Sequence, residues 1–296
     1  MADPGGARGR LLVVGTPIGN LGDLSPRAAE ALRTADLVVA EDTRVAARLL
    51  AHVGARRPTR SFNEHNATER LPGLLSRLAA GETLALTTDA GMPAVSDPGA
   101  RLVAAAREAG HEVAVVPGPA AVTAAMALAG VEAGGFVFGG FLPTRPVSAR
   151  SGALERLLEA SRALGLPLVL YEAPQRVRDL LVRLAERAPE AGVAVGRELT
   201  KRFEEVVAGS PAEVARALAE PRGEYVVVVS GLNAPAGGGT AGLGLEPEVV
   251  ARAAASQGLS RRSVADLLRA AGMARREAYE LAGAVVPDDD RPISGP

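Results

Sequence analysis

The chain has 296 residues and a formal net charge of −1, so it is long enough for two ordinary domains and has no overall basic charge indicating nucleic-acid binding. It contains no cysteine and only three histidines, which excludes disulfide bonds, zinc–thiolate sites and cysteine nucleophiles and makes a metal site unexpected. The apolar runs are too short to cross a bilayer, and residues 1–10 lack the apolar segment of a signal peptide, so we expect a cytoplasmic protein.

Short apolar runs alternate with helical segments after a polar, Gly-rich start, which predicts a disordered tail over residues 1–9 and βαβ units over residues 10–117. The predicted strands are residues 11–14, 37–40, 83–87 and 112–116. The predicted helices are residues 26–34, 45–53, 70–80 and 99–109. Ser25 and Pro26 are typical of a helix start, with a capping hydroxyl before a proline at the first helical position. These elements indicate a first α/β domain with a mostly parallel sheet.

A second α/β domain is predicted over residues 118–233. It begins with a helix of small residues at 120–129, and residues 143–151 are interpreted as a linker or mobile loop. The further predicted strands are residues 168–171, 192–198, 203–208 and 225–229. The further predicted helices are residues 152–164, 177–187 and 211–219. The fold class is therefore α/β, with two such domains in one chain.

The end of the chain has a different composition. Residues 234–245 are almost all Gly, Ala and Pro, which predicts a flexible linker. Residues 246–286 predict a small helical module that resembles a helix-turn-helix, and residues 287–296 a second tail. The predicted helices of the module are residues 247–256, 260–271 and 275–284.

Two loops rich in Gly and Pro follow predicted strands, GTPIGN at residues 15–20 and DAGMPAVSDPG at residues 89–99. In an open α/β sheet, ligands bind beyond the carboxyl ends of the strands, so we expect both loops at one site. Segments 41–44 and 117–120 follow neighbouring strands and are expected there too. The first loop lacks the G-x-G-x-x-G pattern of dinucleotide sites and the Lys-Ser/Thr of a P-loop. Its bulky residues favour a van der Waals wall, although a plain strand-to-helix turn also fits.

The two aspartates of the second loop receive different interpretations. Asp89 follows a strand directly, and its carboxylate could accept hydrogen bonds from an amine or from hydroxyl groups. Asp97 precedes Pro98 at the start of a predicted helix, which is typical of an N-cap.

Eight segments occur in a characteristic order. They are GTPIGNLGD, AEDTR, TDAGMPAVSDPG, VPGPAAV, GFLP, YEAPQR, ELTKRFEE and RGEYVVVVSG. As a set they resemble the tetrapyrrole-methylase superfamily and, within it, the bacterial 16S ribosomal RNA cytidine 2′-O-methyltransferases, over about residues 10–231. The resemblance implies two α/β domains with S-adenosylmethionine in the cleft between them, and usually a homodimer. It implies methyl transfer to the ribose of a cytidine in the decoding region of 16S rRNA, within the small ribosomal subunit.

The resemblance also implies where the cofactor binds: the two Gly-rich loops, the turn after residue 116 and the end of the strand at 168–171. The candidate residues are Thr16, Pro17, Ile18, Asp89, Gly91, Met92, Pro117, Ala120, Ala121 and Tyr171. Three positions depart from the usual pattern: Met92 where Thr is common, Ala120 where a small hydroxyl residue is common, and Gln175 where His is common. Met and Ala can still pack against a ligand, whereas Gln175 puts a proton-transfer role at that position in doubt.

Methyl transfer to a ribose hydroxyl needs an acceptor for the hydroxyl proton. The candidates are Glu41 and Asp42 after the second strand and Glu172 or Glu204 in the second domain. Lys201 is the only lysine beside 32 arginines, which is typical of a site where an ammonium cannot be exchanged for a guanidinium. Lys201 could neutralise a phosphate or lower the pKa of the hydroxyl, while chance survival on an exposed face remains the alternative.

RNA contacts are expected from two clusters. The first surrounds the loop at residues 62–66, where Asn can read base edges and Phe62 can stack on an unpaired base. Its candidates are Arg44, Asn63, His65 and Asn66. The second lies at residues 259–279, where five arginines stand against two acidic residues. Its candidates are Arg261, Arg262, Arg275 and Arg276. Ordinary solvent-exposed helix faces would explain the same arginines.

Three other functions fit parts of the pattern. The first is C-methylation of a small tetrapyrrole such as precorrin or uroporphyrinogen, although a small-molecule enzyme has little use for an arginine-rich appendage. The second is a non-catalytic RNA-binding assembly factor that keeps the fold without the cofactor. A nicotinamide oxidoreductase is the third, and the missing G-x-G-x-x-G disfavours it.

Overall fold

Five parallel strands form the first sheet in the computed structural model, which describes residues 9–94, 99–218, 222–232, 247–256, 259–270 and 273–286. The strands are β1 (Arg10–Val14), β2 (Leu37–Ala40), β3 (Thr59–Ser61), β4 (Thr83–Thr87) and β5 (Glu112–Val116), in the order β3-β2-β4-β1-β5. The helices are α1 (Pro26–Thr34), α2 (Thr43–His52), α3 (Ala67–Ala79) and α4 (Gly99–Glu108). Both faces of the sheet are covered, which explains why its inner strands are continuous apolar runs.

Successive side chains of β1 show how the two faces are filled. Leu12 and Val14 pack into one apolar cluster with α1 and α2, while Leu11 packs into the opposite cluster with α3 and α4. This alternation is the geometry of a strand, in which neighbouring side chains point to opposite faces.

The predicted elements of the first half are largely confirmed. The strands at 37–40, 83–87 and 112–116 have the predicted bounds, and the Ser25 hydroxyl accepts from Ala28 N at the start of α1. α2 begins two residues earlier than predicted because the Asp42 carboxylate caps it, accepting from Arg44 N at 2.8 Å. β3 was not predicted, since three residues at a sheet edge carry no apolar pattern. The predicted N-cap role of Asp97 lies outside the described residues.

The second sheet is mixed. Its strands are β6 (Val137–Phe141), β7 (Leu168–Glu172), β8 (Gly192–Arg197), β9 (Glu205–Gly209) and β10 (Tyr225–Ser230), in the order β6-β7-β10-β8-β9. Its helices are α5 (Ala121–Ala129), α6 (Val147–Leu164), α7 (Pro174–Arg187) and α8 (Pro211–Ala217). Only β6 and β7 are parallel, and the other neighbours are antiparallel. The amino end of β10 therefore lies beside the carboxyl ends of β7 and β8.

One prediction in this half is wrong. The sequence predicts a linker or mobile loop at residues 143–151, but α6 begins at Val147 and runs for 18 residues. The Arg150 side chain is only 4% exposed and forms an ion pair with Glu172, so the start of α6 is fixed by a buried charge pair. The exact domain boundaries at residues 117 and 233 remain predictions.

The C-terminal module contains α9 (Pro247–Ser256), α10 (Arg261–Ala270) and α11 (Arg275–Val285), close to the predicted bounds. Val264, Leu268 and Ala278 contribute to a small apolar core among these helices. The predicted linker and the C-terminal tail lie outside the described residues, as does the N-terminal tail except for Gly9. Gly9 donates its N–H to the Leu78 carbonyl, so the predicted tail ends one residue too late. No helix among the described residues is long and apolar enough to span a membrane.

The loops after β1 and β5 touch through glycine backbones. A methyl group added to Gly118 would lie 2.7 Å from the Gly15 carbonyl carbon, and one added to Gly15 would lie 2.5 Å from Gly118 N. β1 and β5 are neighbours in the sheet, so the loops that follow them leave its edge side by side. Neither glycine can therefore carry a side chain without moving backbone.

We predict that Gly118→Ala lowers the free energy of unfolding by about 1–3 kcal/mol, because the new methyl group overlaps backbone rather than a movable side chain. Gly73→Ala is the matched control. Gly73 lies inside α3 with nothing within 4 Å of an added Cβ, so alanine should stabilise the protein by about 0.5–1 kcal/mol. Urea unfolding measures both changes, and equal stability of Gly118→Ala and the wild type would contradict the close contact.

Candidate functional site

A cavity of about 500 Å³, here called the interdomain cleft, opens between the two sheets. Its first wall comes from the loops after β1 and β4, and its second from the start of α5 and the ends of β7 and β10. Most of the predicted cofactor residues lie in these walls: Ile18, Asp89, Gly91, Met92, Ala120, Ala121 and Tyr171. The structure therefore brings both Gly-rich loops to one site. Pro117 is exposed and does not line this cleft. It also does not line a second cavity, which adjoins the cleft between the first Gly-rich loop and α2.

The first loop is hydrogen-bonded to the second. Thr16 N donates to the Gly91 carbonyl at 2.9 Å, and the Thr16 hydroxyl lies 3.3 Å from the Thr88 carbonyl and 3.2 Å from that of Gly91. Gly91 has φ +84°, a conformation that side chains rarely adopt. The Thr16 side chain is 2% exposed and already engaged, so it joins the loops and does not face the cleft. Pro17 lines a neighbouring cavity instead.

Asp89 is the carboxylate best placed to bind a ligand. Its Oδ1 accepts from Asp42 N at 3.0 Å, and among the described residues Oδ2 has no hydrogen-bond partner. Partial burial raises the pKa of Asp89, and the negative charge of Asp42 adds to this effect. A partly buried carboxylate with one free oxygen suits hydrogen bonds from ligand hydroxyl or amine groups.

The two acidic residues after β2 differ in basicity. The Arg44 guanidinium holds Asp42 at 2.6 Å and lowers its pKa to about 2, so Asp42 is a weak base. Glu41 lines the interdomain cleft, and its Oε2 accepts from the Thr88 hydroxyl at 3.1 Å. Of these two predicted proton acceptors, Glu41 has the better geometry.

Glu172 is buried and fully paired. Arg150 Nη2 donates to its Oε2 at 2.7 Å, and Arg176 Nε and Ala173 N donate to its Oε1 at 2.8 Å. Removing one member of such a buried pair is costly, because an uncompensated charge remains. Glu172 lines the interdomain cleft, but these contacts argue against its predicted proton-acceptor role; they fix the end of β7 beside Tyr171.

Lys201 joins the two halves of the molecule. Its Nζ donates to Glu198 Oε1 and to Glu224 Oε2, each at 2.9 Å. Burial lowers the pKa of Lys201, but the hydrogen bonds to the two carboxylates outweigh it and raise the pKa overall. Its side-chain stem passes so close to Gly19 that an added Cβ there would lie 2.4 Å from Lys201 Cγ. The ammonium is already neutralised, which argues against its predicted phosphate role.

Two polar features of the cleft wall are a tyrosine that was not predicted and the start of α5, where Ala120 and Ala121 were predicted. The Tyr225 side chain is 2% exposed and lines the cleft, and its hydroxyl has no hydrogen-bond partner in the described part of the chain. The start of α5 also faces the cleft, with Ala120 at the N-cap and no side-chain cap. Buried polar groups normally find partners, so a hydroxyl and free helical N–H groups at a cavity wall suit a polar ligand.

Aromatic rings close the second wall. The Tyr171 ring lies 5.0 Å from that of Phe138 and 5.4 Å from that of Phe141, centroid to centroid. Phe141 also lines the cleft; it lies in the GFLP segment but was not among the predicted cofactor residues. These edge-to-face and tilted contacts hold the Tyr171 ring in place.

The expected RNA contacts near residue 62 are partly overturned. Phe62 is 1% exposed and packs in the core, so it cannot stack on a base. Asn66 Oδ1 accepts from Asn63 N at 2.9 Å, and Asn63 Oδ1 accepts from Asn66 N at 3.2 Å, so the two side chains close the loop before α3. His65 and Arg44 are exposed, and their role in RNA binding remains a prediction.

The arginines of the C-terminal module lie on its surface. Arg262 and Arg276 are 86% and 89% exposed, and each has a partner four residues along its helix. Such exposed pairs stabilise little and are easily exchanged for other partners. Arg261 approaches Gly283 of α11, and Arg275 is exposed. RNA binding by this surface remains a prediction. Among the described residues, no group of three or more His, Asp or Glu could hold a metal ion.

Comparison with known proteins gives consistent matches. Residues 10–215 match the family model of the Tetrapyrrole (Corrin/Porphyrin) Methylases. The ribosomal RNA small subunit methyltransferase I of Xylella fastidiosa is 45% identical over 228 residues, covering 75% of this chain and 82% of that protein. The protein of the same name from Synechocystis is 39% identical over 279 residues, covering 92% of this chain and 97% of that protein.

Solved structures with lower identity share the fold. A diphthine synthase has a TM-score of 0.59 at 15% identity and covers 75% of this chain and 90% of its own. A cobalt precorrin-4 methyltransferase has a TM-score of 0.56 at 16% identity and covers 79% of this chain and 100% of its own. Together with the two sheets and the cleft between them, these matches show that the chain is a methyltransferase and belongs to the tetrapyrrole methylase family.

Proposed function

We propose that this protein transfers a methyl group from S-adenosylmethionine to the ribose 2′-oxygen of a cytidine in the 16S rRNA of the small ribosomal subunit. It acts in the cytoplasm as a homodimer and without a metal ion. The observation that carries the proposal is the interdomain cleft, in a chain whose relatives at 39% and 45% identity are named ribosomal RNA small subunit methyltransferase I.

The cleft has the groups that S-adenosylmethionine requires. Its volume of about 500 Å³ lies within the usual range for small-molecule sites, and its lining is largely apolar. The uncapped start of α5 suits the cofactor carboxylate, because helix N-termini attract anions. Asp89 and the Tyr225 hydroxyl suit its hydroxyl and amine groups, while Ile18 and Tyr171 suit contact with its rings.

When bound, S-adenosylmethionine supplies a methyl group on a sulfonium, and the carbon–sulfur bond breaks with its electron pair left on sulfur, so no metal is needed. The protein's main task is to orient the ribose oxygen toward that methyl group and to keep water out. Glu41 then accepts the hydroxyl proton at Oε2 or Oε1, while Thr88 orients its side chain. Lys201 positions Glu224 in the cleft wall rather than taking part in proton transfer.

The alternative is methylation of a tetrapyrrole carbon on the same fold. A uroporphyrin III C-methyltransferase from Thermus thermophilus has a TM-score of 0.53 but only 19% identity, which supports the shared fold and not a shared substrate. The more similar relatives are named for ribosomal RNA. A non-catalytic RNA-binding factor is the other alternative, and the polar groups left without partners in the cleft disfavour it.

The direct test offers isotope-labelled S-adenosylmethionine with either unmethylated small ribosomal subunits or uroporphyrinogen. We expect labelled 2′-O-methylcytidine in the subunit RNA and no label in the tetrapyrrole, with mass mapping of the RNA to identify the nucleotide. Label in uroporphyrinogen alone would establish the alternative, and label in neither would overturn the proposal.

We predict that Asp89→Asn weakens binding of S-adenosylmethionine by about tenfold or more at pH 7, as loss of a charged hydrogen bond generally does. Because burial raises the pKa of Asp89 above the usual 3.8, the wild-type affinity should fall on acidification at a higher pH than for an ordinary aspartate. The raised pKa also means that the charged form costs stability above that pKa. Neutral asparagine should therefore keep or raise Tm at pH 7.

Titration calorimetry from pH 7 downward measures this effect, with Tm at each pH as the folding control. Asp89→Asn should lose the acid-dependent change that the wild type shows. Equal affinity of the two proteins at pH 7 would contradict the ligand role of Asp89.

We predict that Glu41→Gln lowers kcat by about 10²–10⁴-fold while the cofactor affinity stays the same, because glutamine can accept the Thr88 hydrogen bond but cannot take a proton. The control is Glu108→Gln, an exposed residue at the end of α4, which should keep wild-type kcat. Single-turnover methylation of small subunits measures the rate, and an unchanged kcat for Glu41→Gln would assign proton transfer to another group.

A further inference from the structure

A second cavity of about 450 Å³ adjoins the interdomain cleft and lies between the first Gly-rich loop and α2. The two cavities share Ile18, Asp89 and Glu224 in their walls. The far side of the second cavity is partly apolar, with Leu21 from the loop and Leu49 from α2. A molecule in the second cavity would therefore face the interdomain cleft across the shared wall, which contains the carboxylates of Asp89 and Glu224.

The second cavity has two cationic groups in its lining, and they differ in availability. Lys201 is already bound by Glu198 and Glu224. Arg48 is exposed, and its guanidinium has no hydrogen bond or ion pair with any residue that the structure describes. Its charge reaches the site, because it contributes to lowering the pKa of Asp42 and opposes the rise in that of Asp89.

The neighbouring Arg44 is not available to a ligand in the same way, because its guanidinium is already paired. It lies one helical turn before Arg48, but its Nε and Nη2 both donate to Asp42, with the shortest distance at 2.6 Å. Arg44 is also not among the residues that line the second cavity. Arg48 is therefore the cation of this wall that a ligand can bind without breaking an existing ion pair.

We infer that the second cavity receives the target nucleotide of the RNA and that Arg48 binds a phosphate next to the target ribose. This inference rests on the proposed function. A guanidinium matches a phosphate with two parallel hydrogen bonds, and no other described group in this wall is a free cation. Leu21 and Leu49 suit contact with the nonpolar faces of sugar and base.

The charges also orient the nucleotide. Asp89 in the shared wall repels a phosphate, and so does the net negative charge of the group formed by Lys201, Glu198 and Glu224. Arg48 attracts the phosphate, so the phosphate lies on the α2 side. The ribose hydroxyl is then free to face the shared wall and the interdomain cleft behind it. Opposite charges at the two ends of one cavity thus point the hydroxyl toward the methyl donor.

The test compares Arg48→Ala with Arg107→Ala, an exposed arginine of α4 that lines neither cavity. For Arg48→Ala we expect the KM for unmethylated small ribosomal subunits to rise about tenfold or more, with kcat at saturation and the S-adenosylmethionine dissociation constant unchanged. The slope of log affinity for subunits against log salt concentration should become shallower by about 0.7–1, as for one lost phosphate contact. Arg107→Ala should match the wild type in every measure.

Two further variants separate charge from geometry. Arg48→Lys should keep the salt slope but recover only part of the KM, because an ammonium lacks the paired donors. Arg48→Gln retains much of the side-chain length without the charge, and it replaces Arg48→Ala if that variant has a lowered Tm. The dependence of its subunit affinity on salt should be as shallow as that of Arg48→Ala.

The inference would be overturned if Arg48→Ala had the KM and salt slope of Arg107→Ala. It would also be overturned if Arg48→Ala weakened binding of S-adenosylmethionine by the same factor as it raised the KM for subunits. Either result leaves the proposed function intact so long as the wild type methylates subunits. Failure of the wild type to methylate them would instead overturn the proposed function itself.

Discussion

The site depends on one close contact between backbones, where Gly15 after β1 meets Gly118 after β5. This contact sets the position of the first loop, and hydrogen bonds from Thr16 to Gly91 then fix the loop after β4. Lys201 adds a link from the second half, since its stem packs on Gly19 while its ammonium holds two carboxylates. Glycine is needed at positions 15 and 118 because the two loops touch each other backbone to backbone.

Much of the fold could be predicted because local signals agreed with the tertiary structure. The strands at 37–40, 83–87 and 112–116 are apolar runs bounded by polar or Gly-rich residues, and burial on both faces of the sheet makes such runs continuous. β3 and the start of α6 carried no such signal. The start of α6 depends on a buried ion pair with Glu172, which is 22 residues away in the chain and has no local pattern.

The site was predictable where the carboxyl ends of parallel strands form it, as for Ile18 and Asp89. Tyr225 was missed because β10 runs antiparallel to β7, so the amino end of β10 lies beside the carboxyl end of β7. A short apolar run in the sequence does not reveal the direction of its strand. The charged candidates show a second limit. Asp42 and Glu172 were predicted as proton acceptors and Lys201 as a functional cation. Whether such a charge is free or neutralised depends on partners that only the folded chain brings together.

The proposed function requires that one cleft, built from the loops of both halves, binds the methyl donor. The most direct measurement is titration calorimetry of the wild-type protein with S-adenosylmethionine and no RNA present. We expect one site per chain with a dissociation constant of about 1 mM or tighter, the range in which enzymes meet their substrates. Absence of binding at millimolar cofactor by a folded protein, or binding of two molecules per chain, would contradict it.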